Sequence, residues 1–145
     1  PGGNLGQKLL CRVDELMHTG DAIPRCGADM LLRDALVLMT SKRLGTAIVM
    51  DDGGCMLGIL TDGDIRRIFQ NENDPLNEPV SKFMTTNSQC LGKAGQLAAD
   101  ALRDMETKLK SCMPILDEDG RVVGALHIHD LVRAGIGDFP DFLKS

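Results

Sequence analysis

The sequence has no tryptophan, no tyrosine and only four phenylalanines in 145 residues. Its core must therefore be built from aliphatic side chains and eight methionines, and aromatic stacking is a poor means for it to hold bases or sugars. A basic face is lacking too. Sixteen Lys and Arg stand against twenty-one Asp and Glu, a formal charge of −5, which argues against a nucleic-acid partner. No apolar run approaches the roughly 20 residues of a membrane helix and no signal peptide opens the chain, so the expectation is a cytoplasmic protein with no membrane partner. The five cysteines, at 11, 26, 55, 90 and 112, form no C-x-x-C pair. Reduced, passive thiols are expected, with no zinc or other metal site and no cofactor. No Ser-His-Asp set, paired acids or phosphate-loop glycine pattern is found, so no catalytic residue is assigned.

What is present is an internal repeat. A shift of 66 residues lays Asp34, Ala35, Leu36, Met39 and Lys42 on Asp100, Ala101, Leu102, Met105 and Lys108. It also lays Asp51, Gly54, Gly58, Leu60, Asp64 and Arg67 on Asp117, Gly120, Gly124, Leu126, Asp130 and Arg133. At the front of each half, Val13, Met17 and Thr19 match Val80, Met84 and Thr86 at a shift of 67. Two copies are too few for a solenoid and suggest a pseudo-twofold pair.

Within each half the apolar spacing predicts a helix, on Leu32, Ala35, Leu36 and Met39 and again on Leu97, Ala101, Leu102 and Met105. Short apolar runs follow, 46–50 and 56–60, then 112–116 and 122–126, each pair joined by an Asp- and Gly-rich turn that reads as a hairpin. Thr61 and His127 then open second helices, over 62–69 and 128–133, while Pro24 and the stretch 71–79 read as loop. The expectation is an α+β fold of two strand-helix-strand-strand-helix repeats packed sheet to sheet, since each half alone is marginal in size. Met17, Met30, Met39, Met84 and Met105 read as core filler.

The segments Val13-Asp14-Glu15-Leu16-Met17, Gly45 to Asp51 and Gly58-Ile59-Leu60-Thr61-Asp62-Gly63-Asp64 resemble, in order, the opening, central strand and closing G-h-h-T-x-x-D motif of a CBS domain. The same order recurs from Val80 to Asp130, so the chain resembles a CBS pair. A narrower likeness rests on Pro1 to Gly6, Leu16 to Asp21, Thr61 to Arg67 and Leu126-His127-Ile128-His129-Asp130-Leu131. These look like the C-terminal half of the arabinose 5-phosphate isomerases, which interconvert ribulose and arabinose 5-phosphates on the path to the lipopolysaccharide sugar Kdo. The resemblance implies a junction at 1–12 after an absent isomerase domain, repeats at 13–69 and 80–135 joined by a linker at 70–79, and a tail at 136–145. It also implies a chain that catalyses no isomerisation itself, and that forms a homodimer, or a tetramer when attached to the isomerase domain.

The ligand contacts implied by the resemblance are Thr19, Thr46, Ala47, Thr61, Asp62, Asp64 and Arg67 from the first repeat. From the second they are Cys112, Met113, Pro114, His127, His129, Asp130 and Arg133. Chemically, a Thr and an Asp at a helix start sit beside free N–H groups that favour an anion, and one carboxylate can accept from two vicinal hydroxyls. The plain alternative is that Thr61 and Asp62 only cap the helix. If Asp64 grips a ligand, its removal should weaken binding and leave folding nearly unaffected. Arg66, Arg67 and Arg133 can meet phosphate or carboxylate, or simply lie on a solvated face. His127 replaces Thr61 in the second copy, where it is either a packed partner of His129 or a contact to an anion, which as an imidazolium would bind more tightly below about pH 6.5. The expected ligand is a nucleotide or nucleotide-sugar, CMP-Kdo being attractive as the end product and an adenine nucleotide the runner-up. The competing reading is a dimerisation module without a ligand.

Overall fold

The computed structural model describes residues 5–137, with side chains from Lys8 onward. Residues 1–4 of the expected junction and 138–145 of the expected tail lie outside the described residues. In chain order the elements are α1 (Leu5–Leu10), β1 (Arg25–Cys26), α2 (Leu32–Lys42), β2 (Thr46–Met50), β3 (Met56–Thr61) and α3 (Asp62–Asn71). Then come β4 (Gly92–Lys93), α4 (Ala98–Lys108), β5 (Cys112–Leu116), β6 (Val122–His127) and α5 (Ile128–Arg133). Three short 3-10 turns lie at Val13–Glu15, Gly20–Ala22 and Val80–Lys82.

The architecture is the expected α+β repeat: two three-stranded sheets, ordered β1-β2-β3 and β4-β5-β6, each with its first pair parallel and its second antiparallel. The helical stripes face inward as their spacing requires, with Leu32, Ala35 and Met39 buried on α2 and Ala98, Ala101, Leu102 and Met105 on α4. Every residue of β2 is buried, because helices cover one face and the second sheet the other, which is why the run reads as continuously apolar rather than alternating. The third helix runs to Asn71, two residues past the predicted end at Phe69, so Asn71 belongs to the helix rather than to the loop.

The halves are interlocked. Val13, at the front of the first repeat, is fully buried in the core of the second, with Leu16 and Met17 packed beside it. Val80, Phe83 and Met84 in turn pack into the core of the first. Main-chain pairs fix the exchange: His18 and Ala125 bond reciprocally at 2.8 and 2.9 Å, as do Ile59 and Thr85 at 3.0 and 2.9 Å. Gly58 makes this possible, since a Cβ there would lie 2.7 Å from the Met84 Sδ and 3.0 Å from the Thr85 carbonyl oxygen. Between the sheets, Ile23, Leu44, Ile48 and Met50 of one half meet Cys112, Val122 and Ala125 of the other. Thr46 and Cys112, equivalent positions of the two repeats, meet side chain to side chain at this seam.

Candidate functional site

The first closing motif builds its site from a strand end and a helix start. Thr61 is the N-cap of α3, and its hydroxyl accepts from the Asp64 N–H at 3.3 Å. The Asp64 carboxylate answers by accepting from the Thr61 N–H at 2.9 Å and from its hydroxyl at 3.1 Å. This reciprocal capping box satisfies helix-end donors that would otherwise be unpaired. The other carboxylate oxygen takes a hydrogen bond from the Arg67 guanidinium and one from the Thr85 hydroxyl at 3.4 Å. Asp64 is only 6% exposed, so the expectation that its removal would leave folding nearly unaffected is corrected: it holds the helix start and neutralises Arg67. Asp62 stays exposed and lies against Gly45, where a Cβ would sit 2.8 Å from its carboxylate oxygen. Gly45 also has φ +67, a second reason for glycine there.

Thr61, Asp64 and Arg67 line a cleft of about 430 Å³ whose opposite wall comes from the second repeat, through Thr85, Ser88, Cys90, Lys108, Lys110 and Cys112. An adjoining space of about 220 Å³ adds Thr46 and Asp62 from the predicted set. Ala47 and Met113 are fully buried in the cores and Pro114 is buried within β5, so the side chains of this trio add nothing to the cleft walls. Lys108 is bound to Asp104 at 2.8 Å and to the Gln89 carbonyl.

The second motif is arranged differently. His127 caps α5 through Nδ1, which accepts from the His129 N–H at 3.1 Å, so in the neutral ring the proton sits on Nε2. Burial, followed by the neighbouring His129, pushes the His127 imidazole below its ordinary pKa. A cationic contact to an anion is therefore not what His127 offers near neutral pH; it offers an Nε2–H donor. Its ring lies 4.6 Å from that of His129, the packed-pair arrangement. Asp130 does not close a capping box. One of its oxygens is 2.7 Å from His18 Nε2 and the other 3.3 Å from the Arg133 guanidinium. Thr19 is exposed at the start of a 3-10 turn with no side-chain cap bond.

Sequence reasoning missed Thr85, Lys108, Lys110 and His18. Thr85 and His18 occupy equivalent positions at the shift of 67 that matches Thr19 to Thr86, and their mismatch is the signal in the sequence that marks them.

All five cysteines are free, and burial pushes Cys26 up to about 11 and Cys112 up to about 12. No group of His, Cys, Asp and Glu suited to a metal is found among the described residues, and no helix there is long and apolar enough to cross a membrane.

The family model described as CBS domain matches the chain twice, at residues 13–71 and 80–137. Among curated proteins, arabinose 5-phosphate isomerase KdsD of Pseudomonas aeruginosa is 40% identical over 136 residues, 94% of this chain and 41% of that protein. The chain thus spans about two fifths of the length of the curated relatives it matches. Among solved structures, CBSX2 in complex with AMP aligns with a TM-score of 0.73 at 21% identity, covering 88% of this chain and 98% of that one. The CBS domain pair of MJ0100 in complex with 5-methylthioadenosine and S-adenosyl-L-methionine aligns with a TM-score of 0.76 at 18% identity, covering 90% and 99%. At such identities the structural likeness speaks for the fold alone.

Proposed function

Because this chain belongs to the CBS-domain family, with a copy at 13–71 and another at 80–137, we propose that it is the regulatory, ligand-binding module of an arabinose 5-phosphate isomerase. The observation that carries this reading is the cleft between the repeats, where Arg67 and Lys110 line the walls beside a helix start bearing a hydroxyl and a carboxylate. Cations for phosphate beside an acceptor for sugar hydroxyls are what a nucleotide or nucleotide-sugar needs. The 40% identity to KdsD supports an isomerase as the protein this module regulates, and work in the cytoplasm, on a lipopolysaccharide sugar, is the setting that this reading carries with it. CMP-Kdo fits as a feedback ligand because it joins cytidine, phosphate and a sugar-acid carboxylate in one molecule.

A second reading, an adenine-nucleotide sensor, is favoured by the AMP held by the structurally similar CBSX2. A ligand-free dimerisation module is the third. Thermal unfolding against CMP-Kdo, CMP, AMP and ATP separates them, since a ligand at 100 times its dissociation constant adds about 2.7 kcal/mol. A shift with CMP-Kdo above that with AMP supports the feedback reading, and the reverse order supports the adenine sensor. No shift with any of the four leaves only the dimerisation module.

A further inference from the structure

Three positions at which the repeats disagree make the two clefts chemically unequal. Lys110 stands in the first cleft where the repeat shift puts Leu44, and Leu44 is buried in the core between the sheets. Lys108 is spent on Asp104, whereas Lys110 pairs with no carboxylate among the described residues. Thr85 touches Asp64 at 3.4 Å in the first cleft, while its counterpart His18 sits on Asp130 at 2.7 Å. Thr61, finally, is replaced by His127, which is capped against His129.

Resting on the ligand-binding reading above, we propose that a phosphorylated ligand enters the first cleft alone. Its phosphate is taken by Lys110 together with Arg67 swinging off Asp64, and the second cleft is closed by His18 seated on Asp130. The exchange keeps the guanidinium paired with an anion, its single contact to one Asp64 oxygen giving way to a phosphate that it can meet bidentately. Its departure frees lone pairs on Asp64 for ligand hydroxyls, while the Thr61 and Thr85 bonds remain. Arg67 is mostly exposed and can move without disturbing the core. On the other side, a ligand hydroxyl would have to compete with an imidazole that already donates to Asp130, and no position equivalent to Lys110 supplies a cation.

Calorimetric titration of the chain with CMP and AMP at fixed ionic strength tests this. The expected count is one nucleotide per chain, with affinity falling roughly three- to tenfold in Lys110→Leu, which installs the first repeat's residue. His18→Thr, which copies Thr85, should leave that site unchanged and add a second, weaker equivalent. Lys110 is exposed, so its variant keeps the fold. Two equal sites in the parent would overturn the assignment. So would binding that survives Lys110→Leu unchanged but is lost in Asp130→Ala, although the ligand-binding reading itself would then stand. A count of one that persists in His18→Thr would remove His18 as the closure. Absence of heat with both nucleotides in every variant would overturn the inference and count against the nucleotide reading beneath it.

Discussion

At the scale of single residues, the two acids of the closing motifs carry different loads. Asp64 serves the capping box and Arg67 in a buried setting, so Asp64→Ala should cost about 1–3 kcal/mol of stability, read as a lower denaturant midpoint. Asp130 is not in a capping box and is more open to water, so Asp130→Ala should cost less; an equal or larger loss at Asp130 would contradict this assignment of roles. His127 makes stability depend on pH. Its pKa is lowered in the folded state, so below about 6.5 the unfolded chain binds more protons than the folded one and stability drops as pH falls through that region. Replacing it with threonine, the first repeat's choice, should flatten the part of the pH 7.5 to 5.5 slope that it contributes. An unchanged slope would show that His127 is not the group responsible. Thr61 and Asp64 were legible in the sequence because a cap and its partner three residues on are local in the chain. Lys110 and Thr85 were not, because they reach the cleft from the other repeat.

Among the elements, the helices and hairpins were readable from their spacing, since α2, α4 and the two hairpins each follow a single buried face or turn. The exchange of opening segments was not. Val13, Leu16 and Met17 have the same apolar character wherever they pack, and nothing in their periodicity says that they leave their own repeat for the neighbouring core. Gly58 is the trace this leaves in the sequence, a glycine in a strand where another backbone comes close. Gly58→Ala should therefore destabilise the protein by about 1–3 kcal/mol, because the Met84 side chain and the Thr85 carbonyl leave no room for a methyl group. A neutral or stabilising result in chemical denaturation would mean that the crossing segment yields easily. The interlock also implies that both halves unfold in one transition. Separate transitions seen by circular dichroism and by alkylation of Cys26 and Cys112 would contradict it.

Taken whole, the molecule is a pair of repeats that share a core and differ at the rims of their clefts. Val37, Phe69 and Val132 are exposed on the helices, and the homodimer that the family resemblance implies would cover apolar surface of this kind. Light scattering should accordingly give about twice the 15.7 kDa chain mass, and a monomer at every concentration would rule out the homodimer. Amide NMR during titration with CMP or AMP reads directly whether the cleft joining Thr61 to Lys110 receives a phosphorylated ligand. The expected result is saturable shifts concentrated at Thr61–Arg67, Thr85–Cys90 and Leu109–Cys112, with His18 and His127–Arg133 little changed. Shifts confined to the histidine cleft, or none at millimolar nucleotide, would contradict the account.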